Sequence, residues 1–242
     1  MRLQKFLRDQ GTGSLRKCDQ LVQQGLVRVN GLAVSSPTCI LKTGDIIEYG
    51  KSRLIFGTDA ADKRHYYFLF NKPAGVLCAH SDNFGRKLIF DFLPSGIIRP
   101  LFFAGRLDYN SCGLMAISSD GNFINHLTHP AYAATREYLV ETRDAVNVEQ
   151  LKKIAKGVII EGIKYSPFVY EKLAEHKLKI ILNEGKKREI RILIKQIKNQ
   201  VTRLQRIRMG GFLLGNLAEG RYRELKPAFV KEILKSGGKP HR

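Results

Sequence analysis

Two brief apolar runs, Pro100-Leu101-Phe102-Phe103-Ala104 and Leu114-Met115-Ala116-Ile117-Ser118, constrain this chain most. Both are too short for helices and are bounded by Gly and Pro, so both read as strands. Between them runs Gly105-Arg106-Leu107-Asp108-Tyr109-Asn110-Ser111-Cys112-Gly113, with Asp108 as its single acid. The carboxylate therefore sits on a loop held by a sheet, where catalytic groups often lie. Taken alone, an Asp in such a turn is most often a turn former.

The charge around that loop points to a class of partner. The 242 residues hold 41 Lys and Arg against 22 Asp and Glu, a formal charge of +19. An excess of this size usually meets a polyanion. The densest basic stretch is Lys186, Lys187, Arg188, Arg191, Lys195, Lys198, Arg203, Arg206 and Arg208, with Glu189 its only acid. No apolar run approaches the ~20 residues that span a bilayer. Residues Met1 to Phe6 lack the apolar region of a signal peptide, and no long amphipathic helix suits a membrane surface. Cys18, Cys39, Cys78 and Cys112 are scattered, with no C-x-x-C pair, so neither a zinc site nor a disulfide framework is expected. The expected setting is cytoplasmic, with no membrane partner, and the expected state is a monomer.

Residues 1–57 read as a small module. Leu3, Phe6 and Leu7 share a helical face. Ser14 caps a second helix with a Leu15, Cys18, Leu21, Val22 stripe, which Gly25 ends. Alternating sequence around Asn30-Gly31 predicts a hairpin. Leu41 to Tyr49 adds a turn and a strand. Arg2, Lys5, Arg8, Arg16 and Lys17 lie on or near the helices. Arg2-Leu3-x-Lys5-Phe6-Leu7, Ser14-x-Arg16 and Gly25-x-Val27-x-Val29-Asn30-Gly31 resemble the S4 RNA-binding domain. Leu15 stands where that family usually carries the first of two arginines.

Residues 58–64 are small and polar and read as a linker. A larger domain, 65–235, opens with a strand at His65 to Phe70 and a turn over Asn71-Lys72-Pro73-Ala74-Gly75-Val76. Asp120 caps a helix with Phe123, Ile124 and Leu127 that stops before Pro130. Tyr138 to Thr142 reads as a strand, and Asn147 caps a helix ended by Gly157. Val158-Ile159-Ile160 and Lys177 to Leu182 are expected to continue the sheet. Near residue 188 begins a helix with Ile190, Leu193, Ile194 and Ile197 at i, i+3, i+4, i+7 spacing. Residues 236–242 are expected to be a disordered tail.

Three segments of this domain carry a second resemblance. They are Gly105-Arg106-Leu107-Asp108-x-x-Ser111-x-Gly113-Leu114, then Leu127-Thr128-His129-Pro130 leading to Arg136-x-Tyr138, then Glu184-Gly185-Lys186-Lys187-Arg188-Glu189-Ile190-Arg191 leading to Leu204 and Arg206. With Asn71-Lys72-Pro73-x-Gly75 and the S4-like start, the chain resembles bacterial RNA pseudouridine synthases of the RsuA-like family. The resemblance implies an α+β fold, with a mixed, largely antiparallel sheet flanked by helices. It implies an isomerase that converts a specific uridine of ribosomal RNA, or of a ribosomal subunit precursor, to pseudouridine without cofactor or metal.

The same resemblance assigns roles. Asp108 is the catalytic carboxylate, Tyr138 the residue stacking on the target uracil, Arg191 the counter-charge, and Leu204 an apolar wall. Arg106, Arg136, Lys187, Arg188 and Arg206, with Arg2, Lys5, Arg16 and Lys17 of the first module, are the expected RNA contacts. Arg106 is read equally as a loop-structuring residue. Outside that context Tyr138 reads as core and Arg191 as a solvated helix charge. His126 and His129 lack further ligands nearby in sequence and are not read as a metal pair. Ser111 stands for the family's usual Thr, Arg136 for Lys, Glu189 for Gln, and Ile192 for a basic residue. The competing reading is a non-catalytic RNA-binding or ribosome-assembly factor, which would need the basic surface but not Asp108, Tyr138 and Arg191 together.

Overall fold

A computed structural model of the chain describes residues 1–36, 38–57, 65–97 and 100–235. The expected linker, 58–64, and the expected tail, 236–242, lie outside the described residues. The chain forms two compact units, Met1–His65 with Ser95–Leu101, and Tyr66–Pro94 with Phe102–Arg242.

The first unit holds α1 (Leu3–Asp9), α2 (Leu15–Gln23), β1 (Val27–Val29), β2 (Leu32–Ala33), β3 (Ile46–Tyr49) and β4 (Ser52–Ile55). The antiparallel sheet runs β2-β1-β3-β4. Ser14 Oγ accepts the Lys17 amide at 3.2 Å, capping α2. Asn30 and Gly31 both take positive φ, 53° and 80°, as a tight hairpin between right-twisted strands requires. The Asn30 side chain also bonds Asp45 and the Ile46 amide, each at 2.9 Å, fixing the hairpin to β3. Leu3, Phe6, Leu7, Cys18, Val22, Val27 and Ile47 form the core. Leu15 departs from the expected stripe and is exposed. Strand β4 was not expected; its residues are mostly exposed and give no alternation to read.

The second unit continues with β5 (Tyr67–Lys72), β6 (Phe102–Phe103), β7 (Cys112–Ser118), α3 (Gly121–Thr128), β8 (Arg136–Thr142), α4 (Val148–Ala155), β9 (Val158–Ile160), β10 (Ile163–Tyr165), β11 (Val169–Ala174), β12 (Lys177–Leu182), α5 (Glu189–Gln196), β13 (Val201–Met209), β14 (Phe212–Leu213), β15 (Tyr222–Glu224) and α6 (Pro227–Lys235). The main sheet runs β11-β12-β8-β13-β7-β5-β15, with β6 beside β7 and β14 beside β13. All its described pairings are antiparallel except β13 with β7. Strands β5 and β7 are buried throughout, as central strands covered on both faces must be. Asp120 Oδ1 accepts the Asn122 and Phe123 amides to cap α3, and its Oδ2 accepts the Tyr67 hydroxyl at 2.9 Å. Phe123 then packs edge-on against Tyr67 and Phe212.

Two expectations are corrected here. Val158-Ile159-Ile160 does not continue the main sheet; β9 pairs only with β10, through a tight turn at Glu161-Gly162. Asn71 and Lys72 belong to β5 rather than to the turn, because their pairing with Leu114 and Gly113 extends the ladder to the edge of Pro73.

Candidate active site

The Asp108 loop leaves β6 and enters β7, and three sets of bonds fix its shape. Ser111 N donates to the Asp108 carbonyl at 3.0 Å, closing the turn. Gly75 N donates to the Tyr109 carbonyl at 2.8 Å. Beneath the loop lies Lys72, fully buried at the end of β5. Its Nζ reaches the carbonyls of Pro73 (2.9 Å), Asp108 (3.3 Å), Tyr109 (3.4 Å) and Ser111 (2.7 Å). An ammonium has three hydrogens, so these four acceptors share them. Burial lowers the Lys72 pKa.

Gly113 explains how the loop meets β13. Its φ is +106°, and an added Cβ would sit 2.3 Å from the Arg206 carbonyl oxygen. Only glycine allows the backbones of β7 and β13 to approach this closely at the parallel pair Arg206↔Gly113. That pairing carries Leu204 of β13 and Tyr138 of β8 to the same cavity as Asp108. The cavity, of about 370 Å³, is lined by Asp108, Tyr138, Leu204, Arg106, Lys187, Arg188 and Glu189 among others. Tyr138 and Leu204 are buried; Arg106, Lys187 and Arg188 are exposed on its rim.

Two guanidiniums face the Asp108 carboxylate. Arg188 Nη1 lies 3.8 Å and Arg191 Nε 4.0 Å from Asp108 Oδ2. These are charge contacts, too long for hydrogen bonds. They differ in support. Arg191 is held by the carbonyls of Val201 (3.0 Å) and Asn110 (3.1 Å), with Ser111 Oγ at 3.5 Å. Burial lowers the Arg191 pKa, and the neighbouring Arg188 adds to this while Asp108 opposes it. It still stays charged at any working pH. Arg188 is half exposed, with its backbone in the left-handed region at φ 55°, just before α5. Expected as a phosphate contact, it stands as near to the carboxylate as Arg191 does.

The remaining expected contacts divide. Arg206 is corrected: it is 1% exposed, and its Nε donates to the Leu114 carbonyl at 2.7 Å. A guanidinium sealed between strands cannot grip a phosphate from solvent. Arg136 is partly buried and donates to the Leu127 carbonyl at 3.2 Å. Arg208, also in the basic stretch, is paired with Glu137 at 2.8 Å across β13 and β8. In the first unit Arg2, Arg16 and Lys17 are exposed and Lys5 is partly buried. His126 stacks on Tyr132 with centroids 4.2 Å apart, and His129 Nδ1 accepts the Ala131 amide. Among the described residues no group of three or more His, Cys, Asp or Glu could hold a metal ion. Sequence reading missed Lys72 as a loop anchor, because a lysine beside a Pro-Gly turn reads as solvated.

The second unit thus combines a largely antiparallel sheet with a carboxylate loop and a buried tyrosine at one cavity, and the first is a helical module with exposed cations. Residues 66–196 match the RNA pseudouridylate synthase family, and residues 1–47 match the S4 domain. The chain is 32% identical over 238 residues to the ribosomal large subunit pseudouridine synthase B of Bacillus subtilis, covering 96% of this chain and 95% of that one. It is 36% identical over 230 residues to the protein of the same name from Pseudomonas aeruginosa, covering 93% of this chain and 59% of the longer relative. A crystal structure of a pseudouridylate synthase superposes with a TM-score of 0.69 at 25% identity, covering 96% of this chain and 99% of that one. The chain belongs to the RNA pseudouridylate synthase family, in the RsuA-like arrangement of an S4 domain ahead of the synthase domain. It is an isomerase acting on RNA.

Proposed function

We propose that this enzyme converts one uridine of large-subunit ribosomal RNA to pseudouridine, with Asp108 as the catalytic carboxylate. The observation that carries the reading is the single cavity shared by Asp108, Tyr138 and Leu204, with Arg188 and Arg191 turned toward the carboxylate. The names of the similar bacterial proteins support the large subunit as substrate. The glycosidic bond from C1′ to N1 breaks, the uracil turns, and C1′ bonds to C5; C5 gives up a proton and N1 gains one. Atoms balance without a redox partner. Asp108 acts first on the nucleotide, as nucleophile or as base.

Each neighbour has a physical task. A carboxylate in a cavity closed by RNA loses water, and the two guanidiniums facing it offset that loss by their charge. Tyr138 offers its ring to the uracil, and Leu204 excludes water behind it. A base paired in a helix cannot enter a cavity of this size, so the target is unpaired or flipped out. Arg106, Lys187 and Arg188 at the rim, and Arg2, Lys5, Arg16 and Lys17 on the S4 domain, hold the RNA backbone.

The test is Asp108→Asn, with pseudouridines mapped in ribosomal RNA from cells carrying either form. One site should vanish, and purified Asp108→Asn should be slower by at least about 10³-fold, the scale for removing a covalent or acid–base participant. A site that persists in the variant removes Asp108 from this role. A full set of sites in cells lacking the gene removes the activity on ribosomal RNA.

A further inference from the structure

Phe84 is 82% exposed, the highest value for a large apolar side chain among the described residues. A single exposed ring is ordinary on a protein surface. This one is set apart by how firmly its loop is held. Asp82 Oδ2 accepts the amides of Phe84 and Arg86, each at 2.9 Å. Asp82 Oδ1 accepts Arg86 Nε at 3.1 Å and Nη2 at 2.6 Å. Gly85 makes the turn between the two residues at φ 70°. The Arg86 guanidinium then lies 5.1 Å from the Phe84 ring centroid, a cation–π contact that backs the ring.

The loop is rooted in the wall of the Asp108 cavity. Leu77, which lines that cavity with Cys78, donates its amide to the Lys87 carbonyl at 2.9 Å. Its own carbonyl accepts the Ile89 amide at 3.0 Å. Arg86 also lies within electrostatic reach of Tyr109: its bonds to Asp82 raise its pKa most, and the Tyr109 phenol adds to the rise. Tyr109 follows Asp108 in the chain, lines the cavity and is exposed. Two exposed aromatic rings therefore stand by one cavity, with exposed cations at Lys87 on the loop and Arg106 on the cavity rim.

Rings framed by cations suit one ligand chemistry, a flat base on a charged backbone. An apolar site for a protein partner would be a wider patch without a surround of positive charge. Asp82 neutralises Arg86, so Arg86 supports the ring while Lys87 and Arg106 are left to meet phosphate. A base inside a duplex hides its face, so such a ring meets only unpaired bases. We propose that Phe84 is a stacking platform for an unpaired base flanking the uridine held beside Asp108. This rests on the reading that the Asp108 cavity receives the target uridine.

The chain has no tryptophan, so Phe84→Trp places its only indole at the platform. The full-length variant is titrated with unmodified large-subunit ribosomal RNA transcript, and separately with a fully paired RNA duplex. The transcript should quench the indole emission and the duplex should not. Phe84→Ala should lose roughly tenfold in kcat/KM, mostly through KM, the scale of one lost base stack. Its slope of log affinity against log salt should match that of the wild type, because stacking releases no counterions. Phe84→Tyr should recover the loss. Emission that stays constant while the transcript saturates the protein, equal quenching by the duplex, or a Phe84→Ala enzyme that matches the wild type overturns the proposal while leaving the pseudouridine activity standing. A wild type that forms no pseudouridine on the transcript overturns the underlying reading, and this proposal with it.

Discussion

The two units use positive charge in opposite ways. On the S4 domain Arg2, Arg16 and Lys17 point to solvent, and no lysine or arginine is buried among the described residues of that unit. In the synthase domain Lys72 and Arg206 are sealed inside, and Arg191 is mostly so. Exposed cations act at long range, are screened by salt and tolerate exchange. Buried cations act as fixed hydrogen-bond hubs, and removing one strands every acceptor it served. The same residue types thus lie on the surface of one unit and brace the Asp108 loop from inside the other.

Lys72→Met tests that contrast most severely. The apolar side chain fills similar space but leaves the Pro73, Asp108, Tyr109 and Ser111 carbonyls without their shared donor. Unfolding free energy should drop by on the order of 3 kcal/mol, the scale of breaking a buried charged network. Pseudouridine formation should fall by at least about 10²-fold, because the Asp108 loop loses its anchor. Chemical denaturation and single-turnover kinetics read the two effects. A variant as stable and as active as the wild type would show that the loop is held by its turn alone.

Arg206→Met asks whether a cation in the basic stretch is an RNA contact or a strand brace. The side chain is buried and bonded to the Leu114 carbonyl, so its loss should change the melting transition and leave the salt dependence of RNA binding untouched. The expected stability change is about 1–2 kcal/mol, softened because its Nη2 already lacks a hydrogen-bond partner. A reduced salt slope would return Arg206 to the RNA surface.

Arg206 also marks where the sequence stopped being legible. Helices α1 to α5, strands β5, β7, β8 and β12, the Asn30-Gly31 hairpin and the caps at Ser14, Asp120 and Asn147 were readable because each is a local signal, whereas β10, β11, β13, β14, β15 and α6 carried no reading. Asp108, Tyr138, Leu204 and Arg191 could be gathered only through the family resemblance, and the fold does bring them together. Burial of Arg206 and Lys72 was not readable. Charge in a string predicts solvent, and only strand pairing between residues far apart in the chain, as between Gly113 and Arg206, shows a cation sealed from it. The difference between Arg188 and Arg203 was hidden similarly: one turns to Asp108, the other pairs at 3.7 Å with Glu219. Strand β9 failed for a related reason, since a short apolar run does not say which neighbour it will pair with.

The smallest expected effect belongs to the exposed side of the contrast. Replacing Arg16 and Lys17 together by Ala removes two solvent-facing cations from α2 and no buried contact. Lys17 contributes its backbone amide to the Ser14 cap, which the substitution keeps. Stability should change by less than about 0.5 kcal/mol. RNA affinity should weaken a few-fold, and the slope of log affinity against log salt should shrink by roughly 1.4, about 0.7 per lost phosphate contact on single-stranded RNA. Turnover at saturating RNA should not move, because neither residue lines the Asp108 cavity. An unchanged salt slope would mean that α2 faces away from the RNA, and the S4 domain would then hold its ligand through other residues.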